Sequence, residues 1–157
     1  MANIVVNATA SLTANGRTTA TGTITWTAPD LPTDVTAWDA ITISGTWTWD
    51  GRGSITYVKI NGTDTSNGVA FSIPLSASQT SPLSISCVGN KNATGSSFTW
   101  SNLVLTYEYT PPTKPMYLKQ NSAWTEVKGV YKKENGNWVL QTDLESVFDT
   151  QTNYIKG

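Results

Sequence analysis

Carboxylates and tryptophans that lie close together in the chain are the first residues to consider for chemistry. Asp34 and Asp39 flank Trp38, and Asp50 follows Trp49. Paired carboxylates can act as acid and base in glycoside hydrolysis. These aspartates lie in predicted loops and turns, however, where short acidic side chains ordinarily cap turns. Turn capping is therefore the favoured interpretation, and we assign no catalytic residue.

Histidine is absent from all 157 residues. Its absence excludes the serine-histidine-aspartate triad, histidine metal sites and imidazole acid-base catalysis. The Gly-x-Ser-x-Gly motif of hydrolases and the glycine-rich loops that bind phosphates are missing as well. The sequence therefore predicts a protein that is not an enzyme and that needs no cofactor.

Two features were considered as metal ligands. The polar loop 61–68 is rich in oxygen atoms that suit calcium, but Asp64 is its single carboxylate. Cys87 is the one cysteine of the chain, so neither an internal disulfide nor a thiolate cage can form. Because Cys87 alternates with Leu83 and Ile85 on one face of a predicted strand, we expect a buried thiol. No metal site is predicted.

The tryptophans offer a possible glycan site. Trp47 and Trp49 lie on one face of a predicted strand, and coplanar aromatic rings can stack on sugars. An ordinary sheet core requires the same spacing. Ile41 and Ile43 share this face, which favours the core interpretation. Trp38 lies in a predicted loop, where we expect the most exposed tryptophan. Glycan binding through Trp38, Trp47 and Trp49 stays open as an alternative.

The charge pattern limits the classes of partner. Charged residues are 13% of the chain, against about 25% in ordinary soluble domains. The formal net charge is −1, and neither half of the chain carries a strong basic cluster of the kind that binds phosphate backbones. We also find no secretory signal and no apolar run long enough to span a membrane. Nucleic acid and membranes are therefore not expected as partners.

The spacing of apolar residues predicts an antiparallel β-sandwich over residues 1–110. Its type is immunoglobulin-like or jelly-roll, and the two remain equally open. The turn 50–53 predicts a hairpin between its flanking strands, and the shift in alternation after Tyr57 predicts a bulge or a strand covered on both faces. Pro74 is expected to end its strand. The predicted strands cover residues 3–13, 21–27, 41–49, 55–60, 69–73, 83–88 and 98–109.

A proline-rich linker over residues 111–116 separates this domain from a C-terminal module, residues 117–157. The module contains a tandem repeat, in which Tyr117 and Trp124 recur as Tyr131 and Trp138. Each copy predicts a β-hairpin with a polar turn. The segment 142–145 matches a capping box, which predicts a short helical turn. A module of this size is only marginally stable by itself, and we therefore expect it to pack on another surface.

The repeat and the segment 143–149 that follows it resemble the C-terminal segments of structural proteins from tailed-bacteriophage virions, including fibre, baseplate and head-decoration components. The resemblance covers residues 117–157. It implies a protein of the virion, made in the host cytoplasm, that assembles with other virion proteins and with copies of itself, and a host glycan remains a possible partner. The aromatic residues expected at the assembly interface are Tyr117, Trp124, Tyr131, Trp138, Phe148 and Tyr154.

Overall fold

The computed structural model describes residues 1–112, 117–120, 122–126, 130–134 and 136–141. The chain divides into two compact units, Met1–Pro112 and Thr113–Gly157. All regular structure in the described residues is β-strand, and the strands pair antiparallel. The predicted all-β antiparallel class is therefore confirmed. No helix capable of crossing a membrane occurs in this part of the chain.

The first unit is built on one eight-stranded antiparallel sheet that is nearly closed as a barrel, with the order β6-β5-β8-β3-β1-β10-β4-β7. We call this unit the barrel. A separate short pair joins β2 to β9. The strands are β1 (Ala2–Ser11), β2 (Ala14–Asn15), β3 (Ala20–Trp26), β4 (Ala40–Trp49), β5 (Ile55–Ile60), β6 (Thr63–Thr65), β7 (Phe71–Leu75), β8 (Leu83–Gly89), β9 (Thr94–Gly95) and β10 (Phe98–Tyr109).

Strand β1 makes the sheet continuous. Its first part, from Ala2 to Asn7, pairs with β10, and its second part, from Ala8 to Ser11, pairs with β3. One long strand thus joins the four strands β3, β8, β5 and β6 on one side of the barrel to the three strands β10, β4 and β7 on the other. The remaining gap lies between β6 and β7, where Asn61 Nδ2 donates a hydrogen bond to the carbonyl oxygen of Pro74 at 3.1 Å.

The core lies inside the barrel and follows the period of two that a strand requires. Alternate residues of β4 are buried, including Ile41, Ile43, Trp47 and Trp49, as the sequence predicts. The intervening positions carry threonine and serine. Cys87 is fully buried on β8, so the expected core thiol is confirmed. Its burial raises the pKa of the thiol above the ordinary value of 9.0.

The predicted hairpin between β4 and β5 is wrong. Strand β4 pairs with β10 and β7, whereas β5 pairs with β8 and β6. The connection 50–54 therefore crosses from one side of the barrel to the other. A glycine-rich turn between two apolar strands specifies a reversal of direction, and it cannot specify whether the strands pair or face each other across a core. The hairpin that does form here is β5–β6, around Asn61 and Gly62.

Two local predictions have different outcomes. The pairing of β5 with β8 shifts register between Ile55 and Tyr57, so the predicted bulge is confirmed. Pro74 does not end its strand, because β7 continues to Leu75. Strand β7 pairs with β4 alone and lies at the end of the sheet order, where a missing backbone N–H is tolerated.

The second unit contains two antiparallel hairpins, as the tandem repeat predicts. Strands β11 (Tyr117–Gln120) and β12 (Ala123–Glu126) form the first, and β13 (Val130–Glu134) and β14 (Asn137–Gln141) form the second. The predicted helical turn around residues 142–148 lies outside the described residues.

Candidate functional site

Trp47 and Trp49, two of the predicted glycan-binding residues, belong to the core. Trp47 is fully buried, and its indole Nε1 donates a hydrogen bond to Thr65 Oγ1 at 2.8 Å. Trp49 is 9% exposed and packs edge-on against Phe98, with 4.9 Å between ring centroids. Neither ring presents a face to water, so these residues hold the barrel together and do not offer a platform for a sugar.

Trp38 lies at a different place, where β10 ends. Its ring is half-buried and meets Tyr107 and Tyr109 edge-on, at centroid distances of 4.9 and 6.0 Å. Beside it, Thr110 Oγ1 donates a hydrogen bond to Asp39 Oδ2 at 2.7 Å. The structure therefore separates Trp38 from Trp47 and Trp49, the other two candidates for glycan binding. Trp38 combines a partly exposed indole with nearby hydroxyl and carboxylate groups.

The predicted assembly residues of the repeat fall in matching positions of the two hairpins. Trp124 pairs with Lys119 in the first hairpin, and Trp138 pairs with Lys133 in the second. Tyr117 and Tyr131 lie on the first strand of each hairpin, β11 and β13. The repeat in the sequence is thus a repeat in strand register. The two other candidates, Phe148 and Tyr154, lie outside the described residues.

The loop 61–68, whose oxygen atoms could suit calcium, contains the turn of the β5–β6 hairpin and strand β6. Its carboxylate is paired with a cation, because Asp64 Oδ1 lies 3.4 Å from Lys59 Nζ in a salt bridge. No group of three or more residues of the kinds that bind metals occurs in the described part of the chain.

One end of the barrel is formed by the connections 12–19, 50–54, 66–70 and 90–97, which join β1 to β3, β4 to β5, β6 to β7 and β8 to β10. We call it the basic end. The turn 90–93 lies at its centre. Ala93 O accepts a hydrogen bond from Gly16 N at 2.7 Å, and Asn90 N donates to Ser54 O at 2.9 Å. Three separate connections are therefore fixed against one another by backbone hydrogen bonds.

Three further hydrogen bonds hold the connection 66–70 and the loop 50–54 in place. Asp50 N donates a hydrogen bond to Ser97 O at 3.2 Å, and Asn67 Oδ1 accepts one from Trp49 N at 3.1 Å. Gly68 N donates to Trp47 O at 2.8 Å. All four connections are thus bonded to the barrel or to each other, and the end has a defined shape.

Three cationic side chains project from these connections: Arg17, Arg52 and Lys91, all exposed. Arg17 follows Gly16, Arg52 is two residues before Ser54, and Lys91 belongs to the turn 90–93 itself. They are three of the four Lys and Arg residues in the barrel, and Asp50 is the single carboxylate on the same connections. Among the described residues, none of these cations has a carboxylate within salt-bridge distance. No local pattern in the sequence predicts these three cations as a set.

A sequence signal for the basic end does exist. In an antiparallel arrangement every second connection emerges at the same end, so the charges of alternate loops add together. Arg17, Arg52 and Lys91 are far apart in the chain, and each lies on a different connection. A search for local clusters therefore passes over them. Finding them requires the strand order first.

Comparison of the chain with protein-family models, with curated proteins and with solved structures found no match. These comparisons therefore do not link residues 117–157 to virion proteins.

Proposed function

We propose that this chain is a non-enzymatic structural subunit of a bacteriophage particle, a decoration, fibre or tail-adaptor protein that works by protein-protein assembly. The observation that carries the proposal is the strand order of the barrel. Separated at β1, the sheet consists of β1-β10-β4-β7 and β3-β8-β5-β6. A jelly roll interleaves its eight strands in this way, with the first beside the last and the second beside the seventh. The barrel is therefore proposed to be a jelly roll.

Jelly rolls occur in viral capsid proteins and in lectins, which makes the topology relevant to both functions considered. The repeated hairpins favour assembly. A two-stranded hairpin is marginal in water by itself, and this chain presents two of them with equivalent Lys-Trp pairs. In the proposed role the barrel is the folded body, and the hairpins contact other virion proteins or further copies of the chain.

Purified particles provide the test. The chain is expected to remain with particles through density-gradient purification and a high-salt wash, and antibody labelling in electron microscopy should place it at one position on the particle. Particles that lack the gene serve as the labelling control. Recovery of the chain only in the soluble fraction of the lysate would refute the proposal.

A pair of matched variants tests the role of the hairpins. Trp124→Ala combined with Trp138→Ala should abolish incorporation into particles, because both equivalent positions of the repeat are lost. Val5→Ala is the control, since this valine is 56% exposed on strand β1 of the barrel. Normal incorporation of the hairpin variant would contradict the assignment of the interface. Far-UV circular dichroism of each variant separates loss of docking from loss of folding.

The second candidate function is recognition of a host-surface glycan, and the observation that favours it is the setting of Trp38. A partly exposed indole beside Asp39 and Thr110 offers a stacking surface with hydrogen-bonding groups. If this site binds sugar, a ligand found on a glycan array should be lost with Trp38→Ala and retained with Trp38→Phe, which keeps an aromatic face. The absence of any bound glycan for the native chain would eliminate this function.

A further inference from the structure

The walls of the barrel are almost free of charge. The outward positions of β3 and β8 carry Thr21, Thr23, Thr25 and Ser84, all exposed. The outward side chains of β4 are likewise threonine and serine. The main ionic feature of the walls is the Lys59–Asp64 salt bridge, whose two charges cancel. These outward hydroxyl groups offer no charge to a partner.

The ends of the barrel, in contrast, carry opposite charges. The basic end carries three cations, Arg17, Arg52 and Lys91, and one carboxylate, Asp50. The opposite end is formed by the connections 27–39, 61–62 and 76–82 and by the last residues of β10, and we call it the acidic end. It holds four of the six carboxylates of the barrel, which are Asp30, Asp34, Asp39 and Glu108. Its one cation among the described residues is the amino group of Met1.

From this separation of charge we propose that the basic end of one chain docks on the acidic end of a second copy. The three cations of the basic end face a surface of opposite sign, which lowers the energy of the encounter and sets its direction. The neutral walls add no competing attraction. The partner is the chain itself, since the complementary surface belongs to the same barrel.

The contact is head-to-tail, so each copy uses two different surfaces. Such an interface closes into a ring when the rotation between neighbours allows it and otherwise extends as a filament. The hydrogen bonds that join the four connections of the basic end favour binding, because the cations are carried by backbone that is already ordered. Each docked pair leaves one free end of each sign, which permits further copies to add.

Charge exchange in the full-length chain tests the proposal. The basic-end variant is Arg17→Glu with Arg52→Glu and Lys91→Glu, and the acidic-end variant is Asp30→Lys with Asp34→Lys. All five side chains are exposed. Asp39 is left unchanged because it accepts the hydrogen bond from Thr110. The wall control exchanges Lys59→Asp with Asp64→Lys, which preserves the net charge of the salt bridge.

Sedimentation velocity at about 10 mM and about 150 mM salt measures the association, since the screening length falls from roughly 30 to 8 Å between these conditions. The native chain should self-associate, and more weakly at the higher salt. Each end variant alone should weaken self-association at least tenfold. A mixture of the two end variants should restore it, because every contact again joins opposite charges. The wall control should behave like the native chain.

Three results would overturn the proposal: a native chain that stays monomeric at low salt, self-association unaffected by both end variants, or a mixture that does not recover. Binding of heparin that depends on Arg17, Arg52 and Lys91 while self-association does not would assign the basic end to polyanions instead. Near-UV circular dichroism of each variant verifies that the core is intact.

This inference rests on the proposed role in assembly, and the two can fail separately. A chain that is absent from particles yet associates head-to-tail would refute the function and leave the contact standing. A chain that is present in particles but whose self-association is unaffected by charge exchange would support the function and refute the head-to-tail contact.

Discussion

Trp47 and Trp49 are neighbours on the same face of β4, but their indole N–H groups differ. Trp47 Nε1 donates to Thr65 Oγ1, which in turn donates to the carbonyl oxygen of Val58 at 2.7 Å. Trp49 Nε1 is buried and has no hydrogen-bond partner among the described residues. A buried donor without a partner destabilises a fold by about 1–3 kcal/mol. Replacing the two residues by phenylalanine should therefore have unequal effects.

We expect Trp47→Phe to lower the free energy of unfolding by about 1–3 kcal/mol more than Trp49→Phe. Both changes remove similar ring volume, but the first also takes a donor away from Thr65, whereas the second removes an unsatisfied group. Urea unfolding followed by circular dichroism measures both values. Equal losses, or a larger loss for Trp49→Phe, would show that ring volume alone decides the effect.

Burial of Cys87 and Tyr107 makes stability sensitive to alkaline pH. Burial raises the pKa of the Cys87 thiol above 9.0. Burial also raises the pKa of Tyr107 above 10.0, although the hydrogen bond from the Trp26 indole opposes this shift. The folded protein therefore retains both protons to a higher pH than the unfolded chain does. Well below pH 9.0 both states are protonated, so neither group changes the free energy of unfolding there.

Above that range the unfolded chain loses its protons first, so the free energy of unfolding should fall as pH rises. Cys87→Ala removes one of the two groups, and its curve should be less steep than that of the native chain between about pH 8 and 10. Urea unfolding at a series of pH values measures the slopes. Parallel curves would mean that the thiol contributes nothing.

At the level of elements, alternation of apolar and polar residues predicts the strands well and their partners poorly. The faces of β3, β4 and β10 follow from the sequence because each strand has one side in the core. Pairing depends on contacts between strands far apart in the chain, which the period of two does not encode. The β4–β5 hairpin fails for this reason, whereas each of the two C-terminal hairpins pairs strands that are only two residues apart in the chain, the spacing that a short turn predicts.

Substitution of two turn glycines can distinguish the cost of a left-handed backbone conformation from the cost of a steric clash. Gly53 and Gly62 have nearly the same positive φ, 80° and 78°. A Cβ at Gly62 would have no neighbour within 4 Å, but one at Gly53 would lie 2.8 Å from Ala93 N. Gly62→Ala should therefore lower the free energy of unfolding by about 1 kcal/mol, the penalty of the left-handed conformation alone.

Gly53→Ala should have a larger effect, by a further 1–3 kcal/mol or so, since the turn 90–93 must move to admit the methyl group. Urea unfolding of the two variants under the same conditions tests the difference. Similar losses would mean that the connection 50–54 can move away from the turn without strain, and the fixed shape of the basic end would then be in doubt.

At the scale of the whole molecule, the candidate sites differ in whether the sequence alone reveals them. The tandem repeat is visible in the sequence because Tyr117 and Trp124 recur at a fixed interval. The two ends of the barrel are not visible, because their charges come from distant connections that only the strand order brings together. The sequence places Trp47 and Trp49 on one face and favours the core for it because Ile41 and Ile43 share that face, and the burial of both tryptophans confirms this interpretation.

The barrel should fold without the rest of the chain. Its eight-stranded sheet and its buried core, from Leu12 to Tyr107, lie entirely within Met1–Pro112. A protein truncated after Pro112 should therefore keep the far-UV and near-UV circular dichroism of a packed β protein and unfold cooperatively in urea. Residues 113–157 alone, with two hairpins of two strands each, should give no cooperative transition, because such hairpins are marginal in water.

A truncated barrel that exposes its tryptophans to quenching by acrylamide would mean that the core depends on residues beyond Pro112. In that case the barrel and the hairpins would have to be treated as one folding unit, and the proposed division between folded body and docking segment would not hold.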